Sequence, residues 1–272
     1  TVFDALIARG NESNVDLSVM DRVVSTLADG QLELMAPVLE AGRQVYSPGR
    51  HGVNTALYAL RIAGGLGYSP AEQLRLALSA AVHDAGMIRH MQAALRSDAL
   101  TQAEMNELRT HTVTGAGIVA GFSGMPHEAR LTALQHHERI DGSGYPSGLK
   151  GDAAHEFSRI TGLCSDFVAM VSPRPFRKRL AAPEAVRNLA EQKNGFDYAL
   201  LKLLLERIGI YPVGCQVELS TGEQARVIGI NPAIPQRPLV RVVADGNGNA
   251  VIEGRVCDLA GDPVVRIVRQ TI

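Results

Sequence analysis

The chain has 272 residues, of which 46% are hydrophobic and 20% are charged, and its formal net charge is −1. This composition is ordinary for a soluble globular protein, and the balanced charge excludes the broad basic surface that binds nucleic-acid polymers. No apolar run reaches the roughly 18 residues of a membrane-spanning helix, so we expect no membrane span. The cysteines Cys164, Cys215 and Cys257 lie far apart and form no CxxC pair, which predicts free thiols in a reducing cytoplasm.

The N-terminal part of the chain has loosely spaced apolar side chains that predict helices without recognisable chemistry. We interpret residues 1–45 as a helical segment used for packing, for assembly of a homodimer, or as the tail of a linker from a sensor domain. The next predicted helix follows His51, and the glycines Gly64, Gly65 and Gly67 are expected to end it.

Three start signals predict further helices. Ser69 with Glu72 and Thr101 with Glu104 form capping boxes, and Pro126 suits the first turn of a third helix. These helices are predicted to carry, in order, the adjacent pair His83 and Asp84, the single His111, and the adjacent pair His136 and His137.

A further apolar stripe, from Ile160 to Val171, predicts a helix that carries Asp166. Two more helices are predicted near residues 183–193 and 197–208. After these helices the pattern changes to short β-branched runs separated by turn residues, which predict strands of a small antiparallel sheet. The predicted strands lie within residues 213–219, 224–230, 239–245, 250–256 and 264–268.

The sequence therefore predicts a mainly α fold with a small C-terminal antiparallel β appendage. We divide the chain into an N-terminal helical segment (1–45), a helical domain (46–210) and the β appendage (211–272). The appendage carries no recognisable chemistry, and we interpret it as structural.

Histidines and aspartates on separate predicted helices form a candidate metal site. Neutral imidazole and carboxylate together suit first-row transition metals. Adjacent ligands on a helix point about 100° apart, so one pair can reach two neighbouring metals, and a carboxylate can bridge them. We expect His90, His127 and His155 to be ordinary surface or core residues. The candidate ligands are His51, His83, Asp84, His111, His136, His137 and Asp166.

The glycine-rich segment HHERIDGSGYPSGLKGD, residues 136–152, matches the pattern HHExxDGxGYP. With this segment, the sequence resembles the HD-GYP phosphodiesterases, a branch of the HD hydrolase superfamily. Other landmarks of that family follow the expected order, and the resemblance covers residues 45 to 270. They are HDxG at 83–86, HxxxG at 111–115, RPFR at 174–177 and YPVGCQVELSTGE at 211–223.

The resemblance implies an HD-type helical bundle with two divalent transition metals, usually iron or manganese. His51, His83, Asp84 and Asp166 would hold one metal, and His111, His136 and His137 would hold the other, with Asp84 as the bridge. His83 and Asp84 are also the implied catalytic residues. The implied substrate-binding residues are Gly144, Tyr145 and Pro146 at the mouth of the site, and Arg174 and Arg177 as phosphate-binding cations.

The activity implied by this resemblance is that of a bacterial signalling phosphodiesterase. It would open a cyclic dinucleotide, cyclic di-GMP above all, to a linear dinucleotide or to GMP through a hydroxide that bridges the two metals.

Three positions depart from the family pattern. Met87 stands where the family has Lys, and the loss of one transition-state cation would lower the rate by about 10²–10³-fold. Ser47 replaces a Glu that supports a third metal, which predicts two metals, and Ala169 replaces a frequent carboxylate.

Three other interpretations stand beside this one. The first is a catalytically weak or inactive sensor or scaffold that binds a nucleotide or a GGDEF-type partner, which Met87 favours. The second is another HD hydrolase, such as a nucleotidase, although simple members lack the glycine-rich segment 136–152, which we call the GYP loop. The third is a helical bundle with incidental histidines.

Overall fold

Helices account for most of the chain between Pro48 and Ile208 in the computed structural model, which describes residues 46–174, 178–192 and 194–271. The predicted helices of residues 1–45 lie outside the described residues. Two short 3-10 helices, Ala85–His90 and Gly151–Ala153, interrupt the α-helices. The α-helices are α1 (Pro48–Leu66), α2 (Pro70–Val82), α3 (Met91–Ala94), α4 (Gln102–Arg109), α5 (His111–Ala120), α6 (His127–Gln135), α7 (Glu156–Val171), α8 (Ala182–Glu191) and α9 (Tyr198–Ile208).

Helix α1 begins at the Ser47 cap, whose side chain accepts a hydrogen bond from the Arg50 backbone N–H at 3.1 Å. The helix ends at Gly67, which has a φ of 73° and caps the last turn. The prediction that Gly64 and Gly65 would end the helix was wrong. Both lie inside the last turn, because a glycine in an otherwise apolar helix weakens it without breaking it.

Both predicted capping boxes are present, at Ser69 with Glu72 and at Thr101 with Glu104. The predictions that the helix beginning after Thr101 carries His111, and that the helix after Pro126 carries His136 and His137, were wrong. Helix α4 ends before His111, which is the first residue of α5, and α6 ends before the histidine pair at 136–137. Most of the candidate ligands therefore lie at or near helix ends, whereas Asp166 lies within α7.

Helices α1, α2, α7 and α9 share one hydrophobic core. Tyr58 and Ile62 from α1, Leu76 from α2, Phe167 from α7 and Leu204 from α9 are fully buried. Each such side chain contributes on the order of 1.5–3 kcal/mol on burial. This core fixes the relative positions of the helices that carry the ligands. All three cysteines are free and buried, as predicted.

The C-terminal sheet consists of the strands β1 (Gln216–Leu219), β2 (Gln224–Gly229), β3 (Leu239–Ala244), β4 (Val256–Asp258) and β5 (Ile267–Thr271). The strands are antiparallel throughout and lie in the order β4-β3-β2-β1-β5. Alternate residues of the central strands, such as Val217, Val227 and Val240, are buried in the same core as the helices, so the sheet packs against the bundle.

Two of the predicted strands were misplaced. Ala250 forms only an isolated bridge with Ala244, residues 252–253 form a turn, and the strand there is Val256–Asp258. Strand β5 begins at Ile267 because the preceding loop is fixed by the Arg237 guanidinium, which donates hydrogen bonds to carbonyls of that loop. Among the described residues, none of the helices is both long and apolar enough to cross a membrane.

Candidate metal centre

The start of α1 and the end of α2 meet backbone to backbone. A Cβ atom on Gly52 would lie only 2.0 Å from the carbonyl oxygen of Ala81, so a larger residue cannot replace this glycine without moving a helix. The close approach places His51, which precedes Gly52, beside His83, which directly follows α2. Their ring centroids are 5.3 Å apart.

Two more close contacts bring the remaining ligands to the same place. A Cβ on Gly86 would lie 2.0 Å from the His111 carbonyl oxygen, and one on Gly162 would lie 2.3 Å from the His136 carbonyl oxygen. The first contact explains the glycine of the HDxG motif, because it allows Asp84 to approach His111. Glycines at these backbone contacts are therefore needed to bring the candidate ligands together.

Six of the seven predicted ligands gather in two groups. Within each group, one ligand atom from each residue lies within 4.8 Å of the others. The inner half consists of His51, His83 and Asp84, and the outer half consists of His111, His136 and His137.

Asp84 lies between the two halves. Its Oδ2 is 3.9 Å from His51 Nε2, while its Oδ1 is 3.5 Å from His111 Nε2 and 3.7 Å from His136 Nε2. One carboxylate oxygen therefore faces each half. This is the arrangement that a bridging carboxylate requires.

The donor atoms fit divalent metals in both type and spacing. A metal–nitrogen bond of about 2.0–2.1 Å allows two ligands of one metal to be at most about 4.2 Å apart. The His111 and His136 Nε2 atoms are 3.3 Å apart, and the carboxylate distances above also lie below that limit. Imidazole and carboxylate donors suit iron, manganese and related transition metals.

Backbone carbonyl groups orient three of the imidazoles. A carbonyl oxygen can only accept a hydrogen bond, so the contacting Nδ1 carries the proton and the Nε2 lone pair faces the centre. The three contacts are His83 Nδ1 to Ala80 O at 2.7 Å, His111 Nδ1 to Leu108 O at 2.7 Å, and His136 Nδ1 to Thr132 O at 3.1 Å.

Burial also sets the charge of the site. It lowers the pKa of His51, His83 and His136 below that of a free imidazole, which favours the neutral, metal-binding form. Burial alone would raise the pKa of Asp84, but Coulomb attraction to the surrounding histidines in their protonated form, His83 and His111 foremost, lowers it below its ordinary value. The Asp84 carboxyl is therefore ionised.

Asp166 lies outside both groups. Its carboxylate accepts a hydrogen bond from Arg139 Nη2 at 2.7 Å. Burial raises the pKa of Asp166, and the Arg139 guanidinium opposes that shift. The neighbouring Ser165, which the sequence analysis missed, has its Oγ 3.0 Å from His51 Nε2 and 3.2 Å from His83 Nε2.

The GYP loop folds around a buried carboxylate. Glu138 accepts hydrogen bonds from the backbone N–H groups of Ser147 at 2.7 Å and Leu149 at 2.9 Å. These bonds close the loop so that the Tyr145 ring stacks on the His137 ring, with centroids 4.7 Å apart and planes 20° from parallel. The loop thus supports the outer half from its open side.

A cavity of about 610 Å³ opens over both halves. Two of the candidate substrate-binding residues, Tyr145 and Arg174, line it. Gly144 instead packs against the backbone and lines a neighbouring depression, and Pro146 is not among the described residues that line the cavity. Arg177 lies outside the described residues.

Tyr46 is a second residue that the sequence analysis missed. Its hydroxyl donates a hydrogen bond to Asp84 Oδ2 at 3.0 Å, and the side chain is buried. Burial and the nearby Asp84 carboxylate raise the pKa of this phenol, so the hydroxyl keeps its proton. Tyr46 precedes the first predicted helix and belongs to none of the motifs, so the sequence offered no signal for it.

Comparison with known proteins agrees with this site. Residues 32–200 match the family model described as "HD domain", and residues 216–271 match that of a "KOW domain associated with HD domain". The cyclic di-GMP phosphodiesterase PA4108 of Pseudomonas aeruginosa is 31% identical over 183 residues, which are 67% of this chain and 44% of that protein. The cyclic di-GMP phosphodiesterase PdeB of Borreliella burgdorferi is 26% identical over 203 residues, which are 74% of this chain and 53% of that protein.

The chain spans about half the length of these curated relatives. Among solved structures, the HDG"Y"P protein Bd1817 from Bdellovibrio bacteriovorus has a similar fold, with a TM-score of 0.58 and 18% identity. The match covers 69% of this chain and 60% of Bd1817. The chain therefore belongs to the HD domain family, in its HD-GYP branch.

Proposed function

We propose that this chain is a metal-dependent phosphodiesterase that hydrolyses a cyclic dinucleotide, with cyclic di-GMP the first candidate, to a linear dinucleotide or GMP. The observation that carries the proposal is the position of Asp84, which directs one oxygen to each of two histidine groups at the base of a cavity of about 610 Å³. The names of the relatives PA4108 and PdeB support the choice of substrate.

The inner and outer halves would hold two divalent metals, for which we propose iron or manganese. When bound, such a pair activates water as a nucleophile and neutralises charge on the phosphate. Asp84 would set the spacing of the pair. We further propose that Asp166 leaves Arg139 and completes the inner half. His83 and Asp84 would then be essential to the reaction as ligands.

The cavity suits a ligand with apolar faces and anionic groups. Met87, Met105 and Leu108 offer apolar surface on one side, and Arg174 offers a guanidinium that can bind phosphate through two hydrogen bonds. The size of the cavity lies within the range of about 300–1,000 Å³ that is usual for small-molecule sites. A nucleotide base could contact the apolar wall while its phosphate reaches the centre.

A second candidate is a sensor or scaffold that binds a nucleotide without turning it over. Met87 favours it, because this side chain lines the cavity where the family has a Lys. A GGDEF-type protein partner, a homodimer and a cytoplasmic location stay predictions. The free thiols support the last of these.

Turnover separates the two candidates. Protein reconstituted anaerobically with Fe²⁺ or Mn²⁺ would be incubated with cyclic di-GMP and, in parallel, with 3'3'-cGAMP, on which a Vibrio cholerae relative is named as acting. We expect a linear product from cyclic di-GMP, and none from the Asp84→Ala variant. Glu253→Ala, which changes an exposed acidic residue in the loop before β4, is the control and should remain active. Two bound metals with no product from either nucleotide would reject the enzyme and favour the sensor.

A further inference from the structure

The Tyr46 ring lies between the metal centre and the proposed phosphate-binding cation. The Tyr46 hydroxyl donates to Asp84 Oδ2 at 3.0 Å, and the Arg174 guanidinium carbon lies 3.9 Å from the centre of the Tyr46 ring. A cation held over an aromatic face at this distance is attracted by the ring quadrupole. One side chain therefore contacts both the carboxylate between the two halves and a cation of the cavity wall.

Met87 supports the same ring from the apolar side. Tyr46, Met87 and Ala94 form a buried cluster, against which Met91 and Leu108 pack. A lysine at position 87 would bring a charged amine into this cluster, and burial of a charge among apolar groups is unfavourable. The thioether therefore suits a site in which position 87 packs against a ring.

Met87 supplies no cation at the position where the family has a Lys, so the phosphate-binding charge must come from other elements. Arg96 and Arg174 are the cations among the described residues that line the cavity. Arg96 is held by the carboxylates of Asp98 and Glu104. Arg174 instead stacks on Tyr46, close to the inner half. Its guanidinium is therefore the better placed of the two to meet a phosphate at the centre.

We propose that Tyr46 is a positioning residue with two separable tasks. Its hydroxyl orients Asp84 between the two halves, and its ring holds the phosphate-binding cation Arg174 over the cavity, where position 87 supplies no charge. The second task rests on the proposed function, because it assumes a phosphodiester in the cavity. The first task concerns only the metal centre.

Two variants of Tyr46 separate the tasks. Tyr46→Phe keeps the ring and loses the hydroxyl, which contacts both Asp84 and Arg174, so the affinity for Mn²⁺ should fall about 10-fold or more, as for other residues that orient a ligand, while KM should rise less than in Tyr46→Leu. Tyr46→Leu loses both, so KM should also rise about 10-fold. Tyr58→Phe is the matched control, because Tyr58 is equally buried but lies in the hydrophobic core. It should change neither quantity.

A double-variant cycle tests the link between the ring and the cation. Arg174→Gln should raise KM about 10-fold and leave the Mn²⁺ affinity unchanged, whereas Arg241→Gln, at an exposed position of β3, should do neither. In the Tyr46→Leu background, Arg174→Gln should add less than about twofold, because the cation has already lost its position. Met87→Lys should not raise turnover, since it disturbs the ring.

The measurements are a Mn²⁺ titration without nucleotide, and steady-state kinetics with cyclic di-GMP and with bis(4-nitrophenyl) phosphate, a simple phosphodiester. A protein that cleaves the simple diester but no cyclic dinucleotide would reject the proposed function and still test Tyr46. The inference is overturned if Tyr46→Phe leaves Mn²⁺ affinity unchanged, if the effects of Tyr46→Leu and Arg174→Gln on KM multiply, or if every Tyr46 variant lowers only the melting temperature.

Discussion

The inner and outer halves of the candidate metal centre have three candidate ligands each, but different contacts fix them. In the outer half, His111 and His136 are tied to backbone carbonyls, and His137 stacks on Tyr145. In the inner half, the Asp166 carboxylate expected to complete the set of ligands is bound to Arg139 instead. The outer half is thus fully assembled by local structure, whereas the inner half depends on a side chain that has a competing partner.

This difference predicts two unequal metal sites. The outer half offers three imidazoles and one oxygen of Asp84 without any rearrangement. The inner half would gain its fourth ligand only if Asp166 exchanges a charge-assisted hydrogen bond for the metal, which costs part of the binding energy. We therefore expect the outer half to bind the first metal and the inner half to bind the second.

The largest effect is expected from Asp84→Ala, which removes the residue shared by both halves. Metal content should fall from two ions per chain to at most one, and turnover should fall at least about 10³-fold, because the charge that joins the pair is lost. Metal analysis and circular dichroism of the same sample test this, and the helical signal should persist. A variant that retains two metals would reject Asp84 as the bridge.

The next largest effect is expected from Gly86→Ala, which would force Asp84 away from His111. A Cβ at this position meets the His111 carbonyl at 2.0 Å, so we expect a loss of about 3 kcal/mol in the free energy of unfolding and weaker binding of both metals. Gly117→Ala is the control, because nothing lies within 4 Å of its Cβ on helix α5. It should stabilise the protein by up to about 1 kcal/mol. Equal effects of the two changes in urea unfolding would contradict the close-approach argument.

A smaller effect is expected from Arg139→Gln, which releases Asp166. The free energy of unfolding of the metal-free variant should fall by about 1–2 kcal/mol, because the partly buried Asp166 carboxylate is left without its guanidinium partner. Added Mn²⁺ should then raise its melting temperature by more than it raises that of the wild type, since Asp166 is free to bind the metal. If the Mn²⁺-dependent increase is the same in both proteins, Asp166 is not a ligand of the inner half.

The smallest and most gradual effect is expected from acid. The buried histidines have a lowered pKa in the folded protein, whereas the unfolded chain protonates its histidines at a pKa of about 6.5. The folded state therefore binds fewer protons below that pH, and the free energy of unfolding of the metal-free protein should decrease as the pH falls from about 7 towards 5. His83→Gln should reduce this slope. His127→Gln, at an exposed position, should not, and an unchanged slope in the first variant would refute the assignment.

Local signals in the sequence predicted local structure well. The capping boxes at Ser69 and Thr101 and the helix that carries Asp166 are all present, because each depends on residues a few positions apart. The errors have a common cause. His111 begins a new helix where Gly86 needs contact with its backbone, and part of the predicted strand at 250–256 is a turn. Such contacts join distant segments and leave no periodic pattern.

The same distinction applies to the site. Six ligands could be predicted because the resemblance ties them to short motifs, and the structure brings these six together. The contacts of Tyr46 with Asp84 and of Arg139 with Asp166 span 38 and 27 residues. Neither partner choice follows from spacing, because both depend on how α1, α7 and the GYP loop pack. The side chains that tune the ligands are therefore visible only in the folded protein.

Hydrolysis of a phosphodiester should need two metals together, joined by Asp84. Metal-free protein would be titrated with Mn²⁺, and bound metal and cyclic di-GMP turnover would be measured on the same samples. Turnover should stay near zero until one metal is bound per chain, and then rise to its maximum as the second metal fills the inner half. Full turnover with one metal per chain, or none with two, would show that the two metals do not act as a pair.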